Sequence, residues 1–170
     1  LAGSEELMTQ VAIYCNSCGL AMSPFNAWQL LSGVETLSLR MEKQYDNALK
    51  IAQWLKEQPQ VQAVYYTGLP DHPQAELIRK QQNGGGIVIG FEVADQETAW
   101  KVVDGVELFS RTANLGDVRS TITHPWTTTH GRMQPEEKLA ANIRPGLVRL
   151  SVGLEYVDDL IEDLKQVLNK

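Results

Sequence analysis

Leu147-Val148-Arg149-Leu150-Ser151-Val152, then Gly153-Leu154-Glu155-Tyr156, then Val157 to Leu168: this stretch decides the fold class. Its first six residues are mostly apolar and predict a strand. A glycine break follows. From Val157 the apolar residues Leu160, Ile161, Leu164, Val167 and Leu168 fall on one face of a 3.6-residue period, with Asp158 and Asp159 at the end where a helix dipole is positive. A strand that hands over to an amphipathic helix across a few residues needs a sheet with helices packed on it.

Moving outward, the same alternation recurs. Val61 to Tyr66 and Ile87 to Val93 are β-branched or aromatic runs, and Val106 to Ser110 is a further short strand candidate. Gln74 to Gln82, Asp95 to about Val103 (with Asp95 as cap) and Pro135 to Ala141 predict short helices. Thr112 to Arg132 has no clean period. Upstream, Ser23-Pro24 is a helix start. The steps through Leu30, Val34, Leu37, Met41, Tyr45, Ala48, Ala52 and Leu55 predict a helix to about Glu57, about 50 Å long if continuous, with Gly33 as a candidate bend. The fold class expected is therefore α+β: a small, mostly antiparallel sheet covered by helices, preceded by a long linking helix. The expected organisation is 1–22 as the tail of a preceding domain, 23–58 as the linking helix and 59–170 as the α+β domain.

The 170 residues are 43% apolar, enough for a core, with a net charge of −6. That balance and the scattered Lys and Arg argue against a nucleic-acid surface or a lipid-binding polybasic run. No apolar run reaches the length of a membrane span. The N-terminal stretch has Glu5 and Glu6 and no basic segment, so it is not expected to be a signal peptide. With no initiator Met, it is expected to be an internal starting point, and the composition fits cytoplasm. Cys15 and Cys18 form a Cys-Asn-Ser-Cys pair. Alone it is half a zinc site at most, because no second Cys pair exists; a redox dithiol and two bland thiols remain the readings.

Three segments carry a resemblance. The first is Leu20-Ala21-Met22-Ser23-Pro24-Phe25-Asn26-Ala27-Trp28 with Gly33 to Met41. The second is Ala113-Asn114-Leu115-Gly116-Asp117-Val118-Arg119-Ser120 with Thr123-His124-Pro125-Trp126-Thr127-Thr128-Thr129-His130-Gly131-Arg132. The third is Leu147 to Glu155 with Asp158-Asp159-Leu160 and Asp163-Leu164. In this order they are similar to the C-terminal part of the Cys/Met-metabolism enzymes dependent on pyridoxal phosphate (PLP), and resemble most the O-succinylhomoserine sulfhydrylase branch.

The resemblance implies a fold-type I PLP enzyme, usually a tetramer built from dimers, whose cofactor lysine lies outside this chain. None of Lys43, Lys50, Lys56, Lys80, Lys101, Lys138, Lys165 and Lys170 has the Ser/Thr-rich context of that lysine. No catalytic, cofactor-binding or metal residue is therefore expected here, and the chain alone is expected to be inactive. It also implies γ-replacement on an acylated homoserine, with sulfide or a thiol as partner, giving homocysteine for methionine biosynthesis. Cystathionine γ-synthase and methionine γ-lyase share these segments and are the rival activities. A catalytically inert oligomerising domain is a rival of another class.

By the resemblance Arg149 clamps the substrate α-carboxylate, and a guanidinium fork suits that geometry. The alternative is a strand-edge arginine paired with a structural carboxylate. Asn114 stands where several lyases of the family carry Ser, which favours the sulfhydrylase branch; the alternative is an Asn in a left-handed turn before Gly116. Thr129 corresponds to a threonine near the substrate. His124 and His130 are six apart, a spacing unsuited to a single-helix zinc pair, and a structural hydrogen bond is the reading for His130. Gly84-Gly85-Gly86 lacks the phosphate-loop pattern and reads as a tight entry to a strand. Trp126, if it faces the pocket, narrows substrate choice.

Overall fold

The computed structural model describes residues 2–169 and divides into two units, the chain to Ser38 and the chain from Leu39. The first unit holds helices α1 (Glu5–Cys18) and α2 (Pro24–Glu35). Ser4 and Ser23 cap them, accepting from the N–H groups of Leu7 and Asn26, and Pro24 opens α2 as expected. Neither helix buries a residue: Phe25, Trp28, Leu31 and Val34 all stay exposed.

The expected long helix is interrupted. Thr36, at φ −107° and ψ 7°, ends α2, and α3 runs Leu37–Lys56. The break falls at a β-branched residue, whose side chain crowds the preceding turn, and not at Gly33.

Beyond α3 come β1 (Ala63–Tyr65), α4 (Ala75–Gln81), β2 (Val88–Glu92), α5 (Gln96–Gly105), β3 (Ser110–Arg111), β4 (Thr121–Thr123), α6 (Pro135–Ala140), β5 (Leu147–Ser151) and α7 (Val157–Leu168). The strands form one sheet in the order β1-β2-β5-β4-β3. Every pairing is antiparallel except β3 with β4. The α+β class and the mostly antiparallel sheet are as the sequence leads one to expect.

Period-two alternation sorts the sheet into two faces. Ile89 pairs with Leu150, which pairs with Ile122, and Phe91 pairs with Val148. These residues are buried in one cluster with Ile51 and Leu55 of α3, Ala99 and Val102 of α5, and Leu160 and Leu164 of α7. The opposite face carries Tyr65, Gly90, Arg149 and Thr123 in one cross-strand row.

Two local expectations differ from the structure. Val106 to Phe109 is not a strand, because Asp163 on α7 takes its backbone donors: Oδ1 accepts from Glu107 N (2.8 Å) and Oδ2 from Leu108 N (2.8 Å) and Phe109 N (3.2 Å). Conversely, Thr121–Thr123 is a strand buried throughout, although its composition reads as polar.

The second unit is also held by amides. Gln44 Nε2 of α3 donates to Asp117 O (2.9 Å) and Val152 O (2.8 Å), and Asn47 Nδ2 donates to Gly153 O (3.0 Å) and Glu155 O (2.9 Å). Both side chains are buried. Gln44→Leu keeps the bulk and strands two carbonyls, so a loss of about 2–4 kcal/mol is expected in equilibrium urea unfolding of the chain. A loss below about 0.5 kcal/mol would show that water replaces the amide.

The glycine run before β2 is a packing device. A Cβ on Gly84 would lie 2.3 Å from the Tyr45 ring and one on Gly85 2.4 Å from Gly68 Cα, while Gly86 has φ +76°. Tyr66 Oη donates to Gly86 O (3.0 Å), and burial pushes its phenol up to about 12.

Candidate substrate-binding site

Arg149 projects from the non-core face of β5, the strand flanked by β2 and β4. It is therefore central and not an edge residue. One guanidinium nitrogen donates to Ala113 O at 2.6 Å. Among the described residues no carboxylate forms an ion pair with it: Glu92, on the same face, is taken by Arg144 (3.5 Å) and by the Tyr65 hydroxyl (2.9 Å). The described residues thus offer it no structural carboxylate partner. Partial burial holds the group below the ordinary arginine range, and it remains a cation at neutral pH. A half-buried guanidinium held by one neutral acceptor has donors left for an incoming anion.

The carbonyl that Arg149 holds belongs to the residue before Asn114. Asn114 is exposed; its N–H donates to Thr112 Oγ1 (3.4 Å) and its C=O accepts from Thr121 Oγ1 (2.8 Å). It is not left-handed: Asn142 is the residue other than glycine with positive φ among those described, and Gly116 takes the turn at φ 88°. Downstream the loop is fixed from below. Gly116 N donates to Ser151 Oγ (3.1 Å) and Leu154 N to Val118 O (2.8 Å). Ser120 donates twice to the Glu155 carboxylate (2.7 and 2.8 Å) while its hydroxyl accepts from Gly153 N (2.8 Å). The loop side chains from Arg111 to Arg119 are exposed over this pinned backbone.

Among the described residues no hydrogen bond joins Thr129 to Arg149. Its hydroxyl lies 2.9 Å from His130 Nδ1 on the exposed turn after β4, which bears out a structural hydrogen bond for His130. The connection is indirect: Thr128 Oγ1 is 2.9 Å from Thr123 Oγ1, and Thr123 pairs across the sheet with Arg149. A cleft of about 460 Å³ opens beside this row, with Ala113, Thr123, Thr127, Thr128, Trp100 and His124 on its wall. Trp126 is not on that wall; the Lys138 ammonium sits 4.7 Å over its ring. His124, Gln44, Asn47, Ser120 and Glu155 were not singled out from the sequence as parts of this architecture. Gln44 and Asn47 had a detectable signal, since they fall on the same helical stripe as Ala48, Ile51 and Leu55.

The described lysines do not fit the role of cofactor anchor. Lys43, Lys50, Lys56, Lys80, Lys101 and Lys165 are exposed on helices, and Lys138 stacks on Trp126. No group of three His, Cys, Asp or Glu among the described residues is placed to hold a metal ion, and Cys15 and Cys18 are free thiols. The helices include none long and apolar enough to cross a membrane among the described residues.

A family profile described as Cys/Met metabolism PLP-dependent enzyme matches residues 1–169. The chain belongs to this family. An O-succinylhomoserine sulfhydrylase of Pseudomonas aeruginosa is 46% identical over 99% of the chain, and an L-methionine gamma-lyase of Porphyromonas gingivalis is 42% identical over 99%. A Campylobacter jejuni protein solved with N'-pyridoxyl-lysine-5'-monophosphate superposes over 99% of the chain with a TM-score of 0.90 at 38% identity. The chain spans 42%, 43% and 41% of these relatives respectively. The family's cofactor is pyridoxal phosphate, and the fold is that of a fold-type I PLP enzyme over a fragment of its length.

Proposed function

We propose that this chain is the substrate-binding portion of an O-succinylhomoserine sulfhydrylase that replaces the γ-acyloxy group of an acylated homoserine by sulfide, forming homocysteine for methionine biosynthesis. The observation that carries the reading is Arg149, a central-strand guanidinium that, among the described residues, is tethered to a neutral carbonyl next to Asn114 and to no carboxylate. Such a group fixes an α-carboxylate and with it the orientation of the substrate backbone. In this reading Asn114, next to that carbonyl, contributes an amide, and Thr129, on the turn after β4, a hydroxyl. PLP supplies the electron sink, and its lysine belongs to the part of the complete protein outside these residues. In this reading residues 1–22 close the cofactor domain, 23–58 link it to the substrate domain 59–170, and the complete protein is a cytoplasmic homotetramer. The exposed apolar side chains of α2 fit a helix that docks on another body.

A second reading is methionine γ-lyase or cystathionine γ-synthase, supported by the 42% identity to a methionine γ-lyase. Asn114 in Asn-Leu-Gly, where several lyases have Ser, favours the sulfhydrylase. The deciding experiment uses the complete PLP-loaded protein and compares rates with O-succinylhomoserine or O-acetylhomoserine plus sulfide or cysteine, and with methionine alone. Fastest turnover of an acylated homoserine with sulfide is the result expected. Preference for methionine elimination or for cysteine as nucleophile would move the assignment to a rival.

A further inference from the structure

His124 is 2% exposed and sits under the cleft wall, where three segments meet. Its Nε2 is 2.7 Å from Pro145 O. A carbonyl only accepts, so Nε2 carries the proton. Trp100 Nε1, on α5, approaches Nδ1 at 3.1 Å. An indole N–H only donates, so Nδ1 is bare. The two partners with fixed roles therefore agree on one neutral tautomer, and the Thr127 hydroxyl, 2.8 Å from Nδ1, donates as well. The edge-on geometry of the rings, 82° between planes, suits this arrangement. The backbone of the same residue organises the turn that follows: His124 O accepts from Thr127 N (3.3 Å), Thr128 N (3.2 Å) and Thr128 Oγ1 (2.8 Å). Pro145 leads through Gly146 into β5 and Arg149.

We propose that His124 is a positioning residue of the substrate site: its neutral Nε2–H tautomer ties the threonine turn carrying Thr129 to the entry of the strand carrying Arg149, with Trp100 of α5 as the third anchor. The function of Arg149 and Thr129 rests on the reading above; the tautomer and the convergence do not. Both ring nitrogens are committed, so the imidazole is not available to move a substrate proton. The charged groups facing this region are Lys138 of α6, Asp104 of α5 and Arg111 of β3. Burial, and then the Lys138 charge, hold the imidazole below its ordinary range against the Pro145 hydrogen bond. The sign follows. The unfolded chain protonates this histidine at about 6.5 and the folded chain only at lower pH, so its contribution to stability is complete above about 6.5 and is lost as pH falls toward the folded value. Protonation puts an N–H at Nδ1 against the indole N–H, and Trp100 loses its acceptor.

The test has two arms. In the chain itself, nitrogen-15 NMR of the imidazoles is expected to show Nε2 protonated and Nδ1 bare at neutral pH. The Trp100 indole and the amides of Thr127, Thr128 and Thr129 are expected to shift together with the titration of His124. An Nδ1–H tautomer, or a titration that leaves those groups unmoved, overturns the proposal. In the complete enzyme, Trp100→Phe and Thr127→Val each remove one donor without emptying the core. They are expected to raise KM for the acylated homoserine by about fivefold with little change in kcat. His124→Gln, whose amide still donates to Pro145 O, is expected to keep KM closer to wild type than His124→Leu does. If KM stays unchanged in all four variants while Arg149→Met raises it, the positioning role is wrong and the carboxylate site stands. If Arg149→Met also leaves KM unchanged, the functional reading fails, and the NMR arm alone decides the proposal.

Discussion

Arg149→Met in the complete protein is expected to lower kcat/KM for an acylated homoserine by about a hundredfold to a thousandfold, with PLP still bound. Truncating one side of a buried, hydrogen-bonded charge pair costs about 2–5 kcal/mol, much of it because the other charge stays desolvated. In the proposed site that other charge is the substrate carboxylate. The carboxylate is bound in ground state and transition state alike, so much of the loss is expected in KM. Arg149→Lys restores a point charge but not the planar fork, and recovers only part of the loss. The chain's own stability is expected to change by less than about 1 kcal/mol, because the group left behind, Ala113 O, is on an exposed loop and gains water. Unchanged kinetics would make Arg149 a structural residue and remove the basis of the proposed site.

The second large effect is on folding. Asp163 is buried on α7 and accepts three consecutive backbone N–H groups, from Glu107 to Phe109, together with Gln166 Nε2 (2.7 Å). Asp163→Ala leaves those donors without a partner at the edge of the core, and a destabilisation of about 3–4 kcal/mol is expected in urea unfolding. Asp163→Asn keeps one acceptor oxygen and is expected to lose less, which separates the loss of acceptors from the loss of bulk. A change below about 1 kcal/mol for the alanine variant would mean that the 106–109 segment finds other partners.

The elements legible in the sequence were those whose own residues decide them. Asp95 caps α5 by accepting from Thr98 N (2.8 Å). The β-branched run from Ile87 became β2, the mostly apolar run from Leu147 became β5, and the stripe on α7 buries Leu160, Leu164, Val167 and Leu168 as its period indicates. What was not legible depends on partners distant in sequence. Val106 to Phe109 has strand-like residues, but a carboxylate more than fifty positions away claims its backbone. Thr121–Thr123 reads as loop because its hydroxyls find Asn114 O and Thr128 Oγ1 only in the folded chain. In the site, Arg149 was visible as a lone cation in an apolar strand. Asn114 and Thr129 came from family resemblance, and the geometry brings the first but not the second to the arginine. His124 looked like an isolated histidine, since the indole and the carbonyl that fix its tautomer lie 24 and 21 positions away.

The strand lengths carry a consequence for how copies of the chain meet. The sheet ends in β1, three residues long, on one side and in β3, two residues long, on the other. Rims this short offer few free backbone donors and acceptors for another polypeptide to extend the ladder, which is a common protection against edge-to-edge polymerisation. Whatever self-association the chain undergoes should therefore run through side-chain contacts such as those available on its apolar helices. It should leave the β-sheet signal in circular dichroism the same at low and high concentration.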